Sequence, residues 1–196
     1  MTTKEMKEEL KKSLSKKRYI HTLGVVKSAR ELASQYGADK EKAALAALLH
    51  DCAKELKLAD MQQLVRVHEQ AVDEDMFHNG ALLHGLAGMI LAKEKYGITD
   101  PDVLEAIRVH TTGKEHMSIL DKVVFLADYI EENRDFPGVE ELREASSIDL
   151  DRAVLLGYDN TIHFLLASED TIYTPSIIGR NDIIKKIKAS NKGGVR

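Results

Sequence analysis

Apolar residues return at helical spacing along almost the whole chain. Met6, Leu10 and Leu14 recur every four residues, which places them on one face of a first helix. A second amphipathic segment runs over residues 16–36 and stops at Gly37, a residue suited to a helix C-terminus. Asp39 fits the N-cap of a helix over 40–53, which contains the apolar run 43–49. Asp60 fits the cap of a short helix carrying Leu64, Val65 and His68, and the polar stretch 73–80 reads as a loop. The most apolar helix covers 81–96 and stops at Gly97. Asp100-Pro101 pairs an N-cap with proline at the first helical position and opens a helix that runs to His110, ended by Thr111-Thr112-Gly113. Ser118 caps a helix over 119–132, residues 134–138 turn at Pro137, and Asp149 starts a long helix that runs to about Ser168. The stretch 173–176 reads as irregular, 181–189 as a last helix and 191–196 as a frayed end. No alternating strand pattern, hairpin signal, internal repeat or linker interrupts this series. The expected fold is all-α, a compact helical bundle forming a single domain over residues 1–196.

Composition sharpens that picture. Of the 196 residues 43% are hydrophobic but only 5% aromatic, with no Trp, so Leu, Ala, Ile and Val must build the core. The net charge of −4 gives no electrostatic reason to expect duplex nucleic acid, although the first 18 residues hold seven Lys/Arg against three Glu. Cys52 is the single cysteine, so no intrachain disulfide forms and a reducing cytoplasm is the expected compartment. No run is apolar enough for a signal peptide or a membrane span.

Against the apolar background a few polar residues stand out. His50-Asp51 closes the stretch ALAALLHDCAK, where a charge is costly to bury without partners. His21 lies in RYIHTLGVV, His84 in ALLHGLAGMI, His110 at the end of AIRVH, and Asp128 inside VVFLADYIEE. Any one of them alone fits a satisfied core histidine or a helix end turning to solvent. Five helices that each bring a His or an Asp into an apolar setting point instead to one shared metal centre. Mixed nitrogen and oxygen ligation suits iron, manganese or another divalent first-row metal. His68, His78 and His116 lie in polar or loop stretches and His163 lacks such a setting, so these four read as structural or exposed. Arg18, one helical turn before His21, and Lys54, three residues after Asp51, bring cations to the same region. Arg134 follows Asp128 beyond a helix end; Lys27, Arg108, Lys114 and Arg180 are weaker candidates.

The order H…HD…H…H…D on successive helices resembles the HD-domain superfamily of metal phosphohydrolases over about residues 17–143. More narrowly, HTLGV (21–25), ALLHD (47–51), LLHG (82–85), HTTG (110–113) and ADYIE (127–131), with FPGVEELR (136–143) and GRN (179–181), are similar to the YqeK family. Those bacterial proteins hydrolyse diadenosine tetraphosphate symmetrically to two ADP. The resemblance implies that His21, His50, Asp51 and Asp128 hold a metal ion, iron by preference, with manganese or another divalent ion as the alternative. It implies that His84 and His110 hold a second ion or contact phosphate, and that Asp51, His84 and His110 serve the attack of a metal-activated water. The expected substrate contacts are Arg18, Asp51, Lys54, Leu83, His84, His110, Thr111, Arg134, Tyr173, Ser176 and Arg180, the last three in a tail that closes over the nucleotide. The partner is then a dinucleoside polyphosphate, with no nucleic acid and no membrane; a homodimer stays open. Two rival readings share these residues: another HD-domain nucleotide phosphohydrolase, and a non-catalytic metal or nucleotide sensor. Residue chemistry alone does not choose between symmetric and asymmetric cleavage.

Overall fold

The computed structural model describes residues 1–68 and 70–193, the last three by backbone only. Among these residues there are eleven helices and no strand: α1 (Thr3–Ser13), α2 (Lys16–Tyr36), α3 (Lys40–Leu49), α4 (Leu58–Val67), α5 (Glu74–Phe77), α6 (Gly80–Glu94), α7 (Pro101–Val109), α8 (Ile119–Ile130), α9 (Val139–Ile148), α10 (Leu150–Ala167) and α11 (Thr174–Gly193). The all-α expectation holds. The caps at Asp39, Asp100, Ser118 and Asp149 are formed, each by a side-chain oxygen accepting from a first-turn backbone N–H.

α2, α3, α7 and α8 pack on one another at the centre of the fold. Their inward leucines, among them Leu48, Leu49 and Leu126, are buried with Leu10 and Leu142 in the main core; each contributes about 1.5–3 kcal/mol. α6 is apolar all round because it is covered on both sides, by α7 and by α4. Under α4 a smaller apolar cluster joins Met61, Val65, Met76, Leu83, Leu86 and Ile90. α10 packs on α8 and α9, and α11 on α10. No helix among the described residues is long and apolar enough to cross a membrane.

Several boundaries differ from the sequence reading. α3 ends at Leu49 rather than at 53, and residues 50–54 form successive tight turns instead. Asp60 is not a cap: Lys57 holds that position without a side-chain bond, and Asp60 is an acid in the first turn of α4. The expected loop 73–80 contains the one-turn helix α5, capped by Asp73. α9 was not expected at all, and its buried face is short, limited to Val139, Leu142 and Ser146. α11 starts at Thr174, seven residues early, because Pro175 falls in its first turn, where no backbone N–H is needed. The expected frayed end is helical up to residue 193, and its remainder, 194–196, lies outside the described residues.

Candidate metal centre

Two of the helices that carry predicted ligands end by the same local device. The residue after α3 is His50 and the residue after α7 is His110, both still in the right-handed helical region. His50 Nδ1 donates to the Ala47 carbonyl and His110 Nδ1 to the Ile107 carbonyl, each at 2.7 Å. Each ring thus satisfies one of the carbonyls that a helix end leaves without a partner. The bond also selects the tautomer. A ring nitrogen facing a carbonyl must carry the proton, which leaves Nε2 with its lone pair free to coordinate. His50 is fully buried, yet its Nε2 has no hydrogen-bond partner among the described residues.

His21, on α2, is oriented by a carboxylate instead. Its Nδ1 lies 3.1 Å from Glu131 Oε1, at the end of α8. Glu131 is itself fixed, because its Oε2 accepts from Asn133 N at 2.8 Å and Asn133 Nδ2 at 2.9 Å. The buried carboxylate fits against α2 only because residue 24 is glycine: a Cβ there would stand 2.3 Å from Glu131 Oε2. Neither Gly24 nor Glu131 was given a role on sequence grounds. The available signal was a glycine in mid-helix, which costs about 1 kcal/mol relative to Ala and so calls for a packing reason.

Asp51 sits between two sets of histidines. Its Oδ2 is 3.4 Å from His50 Nε2 and 3.8 Å from His21 Nε2, while its Oδ1 is 3.3 Å from His84 Nε2 and 3.6 Å from His110 Nε2. Asp128 Oδ1 is 3.0 Å from His21 Nε2 and 3.8 Å from His50 Nε2. The candidate ligand atoms of His21, His50 and Asp51 all lie within 4.8 Å of one another, as do those of His50, His110 and Asp128, and of Asp51, His84 and His110. His21 Nε2 is near enough to Asp128 for a hydrogen bond but is not aligned for one. The Nε2 atoms of His21 and His50 converge on the two carboxylates without a hydrogen bond to them, as a cation between them requires, while His84 Nε2 and His110 Nε2 lie 3.0 Å apart beside Asp51; this nitrogen and oxygen donor set fits a divalent first-row metal.

The electrostatics agree. Burial opposes the charge of Asp51, but the imidazoles of His50, His110 and His84 outweigh it and hold the carboxyl well below its usual range. Asp128 is held far down in the same way: burial is overcome by His21, His50 and the Arg134 guanidinium. Burial takes His84 the other way, down to about 4, keeping its ring in the neutral form that a ligand needs. Cys52, next to Asp51, is no rival ligand; burial pushes its thiol up to about 12.

The predicted substrate residues divide into two groups. Arg18 Nη1 donates to Asp51 Oδ2 at 2.7 Å, Lys54 Nζ lies 3.3 Å from His84 Nε2, and Arg134 donates through Nε to the Asp128 carbonyl at 2.6 Å and through Nη2 to its carboxylate. Thr111 Oγ1 is 2.9 Å from His110 Nε2 and 3.1 Å from His84 Nε2. These four stand directly around the ligand set. The others stand apart. Leu83 is fully buried in the smaller apolar cluster, so its side chain presents nothing to a ligand. Tyr173 donates to Asp73 Oδ2 at 2.6 Å, joining the tail to the segment before α5, and Ser176 is half-buried in the first turn of α11. Arg180 is paired with Asp159 of α10. Lys27 is paired with Glu132, and Arg108 and Lys114 with Glu105.

Two open cavities flank the centre and share Arg134 and Phe136. One, of about 850 Å³, is lined by Lys16, Lys17, Arg18 and His21. The other, of about 780 Å³, reaches Lys54 and Asp128.

Comparison with known proteins places these observations in a family. Residues 18–133 match the model of the HD domain. The chain is 44% identical over 180 residues to the symmetrical bis(5'-nucleosyl)-tetraphosphatase of Halalkalibacterium halodurans, covering 91% of this chain and 95% of that protein. It is 39% identical to the Bacillus subtilis protein of the same name, over 89% of this chain and 94% of the relative. The crystal structure of an HD superfamily hydrolase of Clostridium acetobutylicum, described as involved in NAD metabolism, superposes with a TM-score of 0.92 at 42% identity, covering 95% of this chain and 98% of that one.

Proposed function

This chain belongs to the HD-domain family of metal-dependent hydrolases, and from that premise we propose that it cleaves diadenosine tetraphosphate symmetrically to two ADP at the centre built on Asp51. The observation that carries the reading is the pair of buried Nε2 atoms of His21 and His50, without hydrogen-bond partners among the described residues, facing Asp51 and Asp128. His21, His50, Asp51 and Asp128 would hold one ion. Asp51, turning its other oxygen to His84 and His110, would bridge to a second. Iron is the ion of choice in this reading, with manganese as the alternative. A divalent cation held here supplies Lewis acidity toward phosphoryl oxygens and makes a coordinated water easier to deprotonate.

The chain's own residues do the rest. Asp51, Asp128 and Glu131 set three carboxylates against the three cations Arg18, Lys54 and Arg134, so the protein shell is close to neutral before any metal is bound. Bound divalent cations then make the site net positive, as binding of a polyphosphate demands. Arg18 engages Asp51 through Nη1 and Arg134 engages Asp128 through Nε and Nη2, so each guanidinium keeps donors for phosphate oxygens while it holds a ligand in place. Thr111, beside both His84 and His110, orients those rings or a phosphate oxygen. Open space on both sides of the centre suits a substrate that must extend in two directions from the bond being broken. Residues 144–193 belong to the same domain in this reading, since α10 packs on α8 and α9 and α11 packs on α10. In this reading the chain, with Cys52 as its single cysteine, works in a reducing cytoplasm.

The test is to incubate metal-loaded protein, prepared without oxygen, with diadenosine tetraphosphate and to separate the products. ADP as sole product supports the proposal. ATP with AMP keeps the hydrolase and rejects symmetric cleavage.

A further inference from the structure

The cavity of about 780 Å³ beside Asp128 holds two features that folding does not explain. Phe164 leaves 68% of its surface exposed on α10, in a chain with few aromatics. Asn160, one turn earlier, has its Nδ2 buried without an acceptor among the described residues. A buried donor left unpaired costs about 1–3 kcal/mol, and an exposed aromatic beside an apolar wall gains nothing from water. Both are accounted for if a ligand completes the slot.

We infer that this slot holds one nucleoside of the substrate, with Phe136 and Phe164 flanking the base and the Asn160 amide, which no acceptor holds in its buried position, turning outward to donate to it. The inference rests on the dinucleoside polyphosphate reading. The lining combines the groups that a nucleotide needs. Lys54 and Arg134, at the metal end, meet phosphates; the aromatic wall receives a flat base; and one polar side chain orients it. A purine offers ring-nitrogen acceptors that the Asn160 donor lacks within the protein. Anchoring a nucleoside beside Asp128 also counts the phosphates from a fixed end, so attack falls at the same linkage in every turnover.

The test uses metal-loaded holoenzyme and three variants, Phe164→Ala, Phe164→Tyr and Asn160→Leu. ADP affinity is measured by calorimetry, and KM and kcat with diadenosine tetraphosphate. Phe164→Ala is expected to weaken ADP and raise KM by about fivefold or more, the effect of one lost base–aromatic stack, with kcat changed much less and metal content unchanged. Phe164→Tyr restores both values. Asn160→Leu raises KM without lowering Tm, because it removes the unpaired donor along with the contact. Unchanged ADP affinity and KM in both Phe164→Ala and Asn160→Leu overturn the slot and leave the hydrolase standing. If the parent protein leaves the tetraphosphate untouched while Phe164→Ala still weakens ADP, the substrate reading fails and the slot survives.

Discussion

Glu131→Gln tests whether the carboxylate behind His21 sets the metal affinity. The change is nearly isosteric, and the side chain is 2% exposed. Glu131 accepts on both oxygens, from His21 Nδ1 at 3.1 Å and from Asn133 N and Nδ2 at 2.8 and 2.9 Å. Glutamine has only one oxygen. With that oxygen kept for the two Asn133 donors, the new NH₂ faces His21 Nδ1. The ring must then accept at Nδ1 and carry its proton on Nε2, the atom that faces Asp51 and Asp128. The variant should therefore fold with a Tm near that of the metal-free parent. Its metal affinity should drop by about 10–100-fold, the usual effect of removing such an outer partner, or ~1.4–2.7 kcal/mol. Calorimetric titration of metal into stripped protein reads this directly, and turnover at limiting metal should fall in parallel. Parental metal affinity in Glu131→Gln would refute the tautomer argument.

Other outcomes follow from the same geometry. Asp51→Ala removes the carboxylate shared by both sets of histidines and should abolish turnover with the helical circular-dichroism signal retained; measurable activity would remove Asp51 from the centre. Arg18→Ala frees Asp51 Oδ2 and deletes a phosphate donor, so KM for the tetraphosphate should rise about tenfold, within the range for a charge-assisted bond; an unchanged KM would leave Arg18 a surface cation. Gly85→Ala puts a Cβ 2.6 Å from the Arg108 carbonyl. It should push α6 from α7 at a cost of about 1–3 kcal/mol and lower Tm by ~3–10 °C, which thermal denaturation would check. Glu105 is held at about 2, chiefly by Arg108, with Lys114 adding to it against partial burial. A depressed acid stabilises above its ordinary value of 4.5 and loses that stabilisation as pH falls through about 2. Glu105→Gln should thus cost about 1–2 kcal/mol at neutral pH after discounting for partial exposure. The gap should close on acidification in denaturant titrations; a gap independent of pH would refute the assignment.

The helices were legible where a stop or a cap marks an apolar period, as at Gly37 closing α2 or Asp100-Pro101 opening α7. They were misread where a tertiary contact sets the end. Nothing in the run after Leu49 stops a helix by propensity: Cys52, Ala53 and Lys54 would all continue it. The stop comes from the His50 ring, which takes the Ala47 carbonyl that the backbone N–H of Asp51 would otherwise use. α9 escaped notice for the opposite reason. Its apolar side is only a few residues wide, and its place is decided by α8 and α10, which it touches.

The ligands and their supports differ in legibility for a physical reason. A histidine or aspartate destined for a buried centre must sit among apolar neighbours, so the cost of burying it leaves a local trace in the sequence. His21, His50, Asp51, His84, His110 and Asp128 all carry that trace. An outer carboxylate at a helix end does not. Glu131, Glu132 and Asn133 read alike as a polar exit from α8, yet Glu131 is 1% exposed while the Glu132 side chain is 61% exposed and paired with Lys27. Which of the two turns inward is decided by α2, a hundred residues earlier, where Gly24 leaves room for an oxygen one turn from His21. A tyrosine, leucine or alanine at position 24 would keep the helix and its periodicity and still displace the carboxylate, so the information lies in a missing side chain. Leu83 shows the converse: a residue beside a ligand in sequence points elsewhere on the helix, here into the cluster under α4.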